Sequence, residues 1–411
     1  MRTIFGFILA WVGLFGTTDL LCAQTWTQTT AANTNWFSIA ASADGSVFYA
    51  SGGTTNGQQI YISTNSGNTW NPTSLPMANS LYQVAVSADG TKIFAARNLP
   101  GNSVRGSTNS NPFFLSTNSG VAWDSIFSPT TNYTSSIAIS GDGNVLMAGA
   151  APGWVYISTN SGAAWSSNLL FSGANGPNVL STANGNKLMA MQGYTLMVTT
   201  NAGLTWTTNA LPGSPYSWNS IAGSSDGRVL SGVGRKNSTG AYVCVSTNGG
   251  GSWAPSTVSS SSYFSTGWIT MSADGSKIII PAGVAIFTST NLGSAWTQAI
   301  APATNWWVAA SSADGSKMAM TVLGVTKYTQ ATGGIWNLQT SPLSKLNISP
   351  SFNNLTLSWI IPSTNFVLQQ SVDLTTWSVV TNAPVLNYTN LQYQVSLTPS
   401  NSNAFFRLST P

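Results

Sequence analysis

Along most of the chain, short apolar stretches alternate with runs of Ser, Thr, Asn and Gly, and two signatures recur in turn. The first is an apolar stretch, an Asp-Gly or Asn-Gly pair and a second apolar stretch. It reads SIAASADGSVFYA (38–50), QVAVSADGTKIFAA (83–96) and SIAISGDGNVLMAGA (136–150). It returns as VLSTANGNKLMAM, SIAGSSDGRVLSGVG, ITMSADGSKIIIPAG and VAASSADGSKMAMTV. Short strand-like runs meeting at a dipeptide that accepts positive φ predict a β-hairpin. The second signature is YISTNSGNTW, ending at Trp70, with copies ending at Trp123, Trp165, Trp206, Trp253 and Trp296 and an eroded one, KYTQATGGIW, at Trp336. It predicts another hairpin: apolar strand, polar turn, then a strand beginning near Trp. Seven copies, 40 to 53 residues apart, define a repeat array. Two hairpins per repeat make a four-stranded antiparallel sheet, which buries its faces only against its neighbours. The expected fold is therefore all-β: a seven-bladed β-propeller of four-stranded antiparallel blades, followed by a small C-terminal β-sandwich.

The S-T-N-x-G-x-x-W pattern resembles the Asp-box, or bacterial neuraminidase repeat, Ser-x-Asp-x-Gly-x-x-Trp, over roughly residues 25–340. That resemblance implies a propeller of the kind found in sialidases, sortilin-type receptors, some xyloglucan hydrolases and photosystem II assembly factors. It says little about activity, because the repeat is structural wherever it occurs. The aspartate is replaced throughout, by Asn65, Asn118, Asn160, Asn201, Asn248 and Asn291, and by Ala331 in the last copy. Asn serves the same purpose, since its short side chain accepts hydrogen bonds from turn amides. Gly67, Gly120 and their equivalents are expected at positive φ, and each Trp is expected to wedge between neighbouring sheets.

The two ends depart from the repeat. Residues 1–23 read as a signal peptide: Arg2, an apolar run over 4–16, and Ala23 before the expected cleavage. Cys22 raises a lipoprotein alternative, but Leu21 stands where a small residue is expected. Residues 24–29, QTWTQT, look like a strand that follows a box, although no box precedes them. Two closures of the ring stay open. The N-terminal strand, favoured here, supplies the outer strand of the last sheet, or the segment at Trp336 does. The propeller is assigned to 24–340. Residues 345–411 form alternating strands separated by Pro, Asn and Ser, and resemble a fibronectin-type-III-like module expected to act as spacer or surface attachment.

Composition narrows the chemistry. Among 411 residues only 5% are charged, with no His and no Glu, and the net charge of +4 is spread without a basic run. Nucleic-acid binding is not expected. Six of the nine aspartates (Asp44, Asp89, Asp142, Asp226, Asp274, Asp314) belong to Asp-Gly turns. Without His, serine–histidine catalysis and histidine metal sites are excluded. No metal or cofactor is expected, and no catalytic residue is assigned. Sialidase-type sites use a tyrosine nucleophile with acid residues and an arginine clamp. The expected ring holds only Arg97, Arg105, Arg228 and Arg235, and no Glu to polarise a tyrosine. A sialidase-like or other exo-acting glycoside hydrolase is the second reading. The first is a secreted or cell-surface, non-catalytic binding or scaffold propeller, expected as a monomer.

The candidate binding face lies opposite the turns. Aromatic residues precede the first strand of most repeats, including Trp36, Tyr82, Tyr133, Trp218, Trp268 and Trp306. With Arg97, Arg105 and Arg235 they form the candidate ligand-binding set, suited to a glycan or an extracellular protein. The alternative is that the rings pack strand starts as core.

Overall fold

The computed structural model describes residues 26–54, 57–77, 81–98, 113–126, 130, 133–213, 217–236, 240–256, 258, 268–302, 304–322, 333–340, 346–351, 354–361, 366–398 and 404–409. Seven four-stranded antiparallel sheets follow one another. Their innermost strands are Asn35–Ala41, Leu81–Val86, Thr134–Ile139, Asn178–Ser181, Ser217–Gly223, Thr270–Met271 and Trp306–Ser311. The first six sheets run outward in chain order, ending at Asn71–Pro72, Asp124–Ile126, Ser166–Leu169, Thr207–Ala210, Ala254–Ser256 and Thr297–Gln298. One apolar cluster fills each of the seven junctions. Tyr49 and Ile60 of the first sheet meet Val84, Ile93 and Ala95 of the second. Ala310, Ala319 and Ile335 of the seventh meet Trp36, Phe48 and Ala50 of the first. The last junction makes the array a closed β-propeller.

A second feature closes the ring through the backbone. The residue before each turn aspartate or asparagine donates its N–H to the carbonyl of its counterpart in the next sheet. The sequence of donors is Ala43, Ala88, Gly141, Ala183, Ser225, Ala273 and Ala313, and Ala313 returns to Ala43, all at 2.6–2.8 Å. These seven bonds form a continuous circle around the channel. The turns themselves are self-capped. Asp44 Oδ1 accepts from the Ser46 N–H at 2.9 Å and from the Ser42 hydroxyl at 2.7 Å, while Gly45 takes φ 62°. Two residues beyond each turn glycine, a side chain lies over the next sheet's turn. Val47 packs on Gly90, and Lys92 Nζ donates to the Asp142 carbonyl at 2.8 Å. Lys277 repeats this on Asp314 at 2.9 Å.

The second hairpins show the box turn in six copies. Asn65 Oδ1 accepts from the Thr69 N–H at 2.9 Å, and the Ser63 hydroxyl accepts from the Gly67 N–H at 2.9 Å. Asn118, Asn160, Asn201, Asn248 and Asn291 repeat the first bond at 2.8–3.0 Å. Gly67 takes φ 86°, as its sequence position demands. The residue before it is left-handed as well: Ser66 at 59°, and even Leu292 at 59° in the sixth copy. Leucine there carries strain that the surrounding turn bonds impose.

The seventh sheet corrects the reading of Trp336. Its strands run Trp306–Ser311, Lys317–Val322, Ile335–Gln339 and, outermost, Thr27–Gln28. The N-terminal strand does close the ring, but the Trp336 segment is the third strand and no box. Met320 pairs with Trp336 as Ala50 pairs with Tyr61. Trp336 meets Trp306 edge-on at 6.0 Å, the relation Tyr61 has with Trp36 at 5.1 Å. The box-tryptophan place belongs to Trp26, tilted 48° against Trp306 at 5.6 Å, as Trp70 lies 45° against Trp36. The segment before it, with Ala331 where the other copies have asparagine, lies outside the described residues.

Beyond Thr340 a four-stranded and a three-stranded antiparallel sheet pack over Leu357, Trp359, Leu368, Val380 and Val395 as a small sandwich. Its Ser371–Trp377 turn is a one-residue-shorter relative of the box. Asp373 Oδ1 accepts from the Thr375 and Thr376 amides at 2.8 Å, and the Trp377 indole donates to the Leu374 carbonyl.

Candidate functional site

Antiparallel order puts both families of hairpin turns on one side of the ring. The connections between sheets, and those between second and third strands, lie on the other, the loop side. The described candidate residues belong to the loop side, but the structure separates them.

Trp36, Trp218 and Trp306 are core, at 0%, 6% and 1% exposure. Their indoles donate to the Ala32, Pro212 and Pro302 carbonyls, each at 3.2 Å. In all three strands the register slips after the tryptophan, between Trp36 and Ser38, Trp218 and Ser220, and Trp306 and Ala309. Such a bulge re-aims the side chain, and here the ring faces the interior. Gly52 and Gly232 on the neighbouring strand leave the space; a Cβ at Gly52 would come within 2.5 Å of the Trp36 ring. Burial removes these three from any stacking role at the surface.

Tyr133 is 43% exposed and Trp268 half-buried, both just before an innermost strand. Tyr82 pairs through its backbone with Arg97, which is half-buried at the loop-side end of the second sheet. Arg235 occupies the matching end of the fifth sheet, paired with Ser217 and Ala241. Arg97 and Arg235 thus lie three sheets apart around the ring. Arg105 lies outside the described residues.

Other loop-side residues are more exposed than Tyr133. Tyr194, at 45%, tips the fourth sheet between Gln192 and Thr195, and Val284, at 59%, tips the sixth. Met77 and Ile300, at 60% and 76%, lie in connections between sheets. Trp154 opens the third strand of the third sheet, stacked on Tyr156 at 6.0 Å and cross-strand from the exposed Leu169. The signal for Tyr194 and Trp154 was a second-to-third-strand turn holding an aromatic residue, GYT and PGW, which a search before first strands passes over.

On the opposite side, the turn carboxylates are committed locally. Burial pushes the Asp89 carboxyl up, but hydrogen bonds from the Ser87 hydroxyl and from Thr91, with Lys92 nearby, outweigh it and leave the carboxyl below its ordinary value. Asp142 behaves alike, through Ser140, Asn144 and the same lysine. Among the described residues no three His, Cys, Asp or Glu side chains gather as a metal site. The sandwich reaches this side of the ring: Ile361 shares an apolar cluster with Ala43, Ala273 and Ala313.

No family model and no curated protein matches this sequence. Solved structures do match by shape. YCF48 from Cyanidioschyzon merolae superposes with a TM-score of 0.53 at 16% identity, covering 76% of this chain and 98% of that one. A structure of YCF48 bound to D1 peptide gives 0.53 at 16%, over 78% and 97%. An ancestral GH74 enzyme gives 0.54 at 16%, over 82% of this chain and 54% of that one. At this identity the likeness defines the class, a β-propeller, and no activity.

Proposed function

We propose that this chain is a secreted, non-catalytic binding propeller of the Asp-box type with a fibronectin-III-like C-terminal module. Its loop side takes an extended segment of a protein partner. The observation that carries this reading is that the exposed tyrosines of the propeller, Tyr133 and Tyr194, lie on the loop side, whereas the exposed apolar residues of the turn side, Val121, Leu204 and Leu292, are single aliphatic side chains in the box turns. Tyr133, Tyr194, Met77, Val284 and Ile300 all lie on the loop side, whereas residues of the sandwich occupy the middle of the turn side. Aromatic side chains at an otherwise nearly uncharged surface suit apolar and main-chain contacts with a peptide. A propeller of similar shape, YCF48, has been solved with a peptide bound, which supports a protein partner over a glycan. The glycan form of the reading rested partly on Trp36, Trp218 and Trp306, which lie in the core. Tyr133, Trp268 and Arg97 remain in the proposed site. Secretion rests on the leader-like residues 1–23.

Selection of a random linear-peptide library on the full chain, beside a glycan array, tests the proposal. Peptide ligands that lose at least tenfold in affinity on Tyr133→Ala or Tyr194→Ala are the expected result. Glycan binding without peptide binding, or peptide binding indifferent to both substitutions, contradicts it. Turnover of a fluorogenic glycoside by the pure protein would instead favour the hydrolase reading.

A further inference from the structure

Near the turn side the central channel holds a cavity of about 200 Å³ lined by residues of the inner strands and of the backbone circle. Leu391 of the sandwich is part of that lining. It stands at the end of the tip 387–391, Asn-Tyr-Thr-Asn-Leu, which joins the strands Val385–Asn387 and Gln392–Leu397. The tip has a fixed shape. Asn387 Oδ1 accepts from the Thr389 N–H at 2.8 Å, Asn390 Oδ1 accepts from the Gln392 N–H at 3.2 Å, and Leu391 is held at φ 53°. Leu391 is left-handed as Leu374 is in the sandwich's other turn, and it is the tip residue that lines the cavity. Around Leu391 the apolar contact continues through Ile360, Ile361, Leu386 and Tyr393 onto Ala43, Ala88, Ala273 and Ala313 of the circle.

The repeat itself changes where the tip lands. Of the seven residues in the backbone circle one is glycine, Gly141, where a Cβ would meet the Ala183 carbonyl oxygen at 2.9 Å and then Tyr388 Cδ1 of the tip at 3.2 Å. Of the seven turn positions one is not aspartate, Asn184, and its amide donates to the Thr389 hydroxyl at 3.5 Å. These two exceptions lie in adjacent sheets, the third and fourth, and both meet the same tip. We infer that the C-terminal module is a built-in stopper: its 387–391 tip seats Leu391 in the turn-side mouth, so the channel is reached only from the loop side. The module is then neither a free spacer nor available on that tip for attachment elsewhere, and the assignment goes beyond the binding reading without depending on it.

Cross-linking in the full chain tests this. Asn184→Cys with Thr389→Cys places two thiols across the contact, and Asn184→Cys with Ser378→Cys, on the sandwich's other sheet, is the reference pair. Cys244 is buried and its thiol stays protonated, pushed up to about 12 by burial, and Cys22→Ser is made in every variant, so neither native cysteine competes. A short bis-maleimide should join the first pair at least ten times faster than the reference; equal rates overturn the stopper. Adding Leu391→Gly keeps the left-handed turn and removes only the inserted side chain. It should slow the first pair at least fivefold with an unchanged circular dichroism spectrum. An unchanged rate overturns the role given to Leu391.

Discussion

The ring closes non-covalently where its N-terminal strand joins the seventh sheet, and Trp26→Ala probes that seam. Six box tryptophans follow a box turn, whereas Trp26 precedes a strand of two residues, Thr27 and Gln28, paired with Asn337 and Trp336 and continued by the Thr29 N–H on the Ile335 carbonyl. Its ring is 4% exposed and packs with Trp306, Met318, Met320 and Leu338. Burying a tryptophan removes about 200 Å² from water, worth roughly 5 kcal/mol at 25 cal/mol per Å². Truncations of this kind cost about 3–5 kcal/mol. The Trp26 indole N–H is buried and makes no hydrogen bond, an offset of about 1–3 kcal/mol that its removal relieves. The net expectation is about 3 kcal/mol. Trp306→Ala should cost more, about 4–5 kcal/mol, because its N–H is bonded to Pro302 and its ring touches both Trp26 and Trp336. Thr27→Ala, at an exposed position, serves as the control within about 0.5 kcal/mol. Guanidinium unfolding followed by far-ultraviolet circular dichroism measures all three. A loss below about 1 kcal/mol for Trp26→Ala, or one equal to that of Thr27→Ala, refutes closure by the N-terminal strand.

Three further outcomes follow from individual contacts. Tyr49 is fully buried, donates to the Gly90 carbonyl at 2.9 Å, and its phenol is pushed up to about 12 by burial. The unfolded chain releases this proton near pH 10 and the folded one does not. About 2–3 kcal/mol of stability, complete below pH 10, is therefore lost as pH rises toward 12; Tyr49→Phe should flatten that limb of a denaturation-versus-pH curve. Ser256 accepts from the Trp296 indole at 2.7 Å and donates to the Gly293 carbonyl, so Ser256→Ala should lower stability by about 1–3 kcal/mol, read as a shift in unfolding midpoint. Cys244 should resist a disulfide reagent at pH 8 in the native protein and react at once after unfolding, because burial keeps its thiol protonated.

The repeat was legible wherever one residue did one local job. The box asparagines and their glycines, and the turn aspartates with theirs, act within five residues of themselves, so their spacing in the chain carries their geometry. The seventh copy misled because Trp336 and two glycines imitate a box, whereas Trp336 lies within the third strand Ile335–Gln339. Placing Trp336 correctly depends on a strand partner some 300 residues away, Gln28, which no local pattern encodes. The same holds for the candidate site. Whether Trp36 faces solvent or core is decided by a bulge one residue later and by Gly52 across the strand pair. The docking of the tip was written in the sequence only as two small irregularities, Gly141 and Asn184, whose meaning depends on the fold.

The most direct test of the binding reading is a hydrogen-exchange footprint of the full chain with a selected peptide bound. Protection should fall on the loop side, around Tyr133, 151–154, 193–194 and 283–284, leaving the turns at Asp44, Asp89 and Asp142 unchanged. Protection confined to those turns, or to the sandwich, would contradict it.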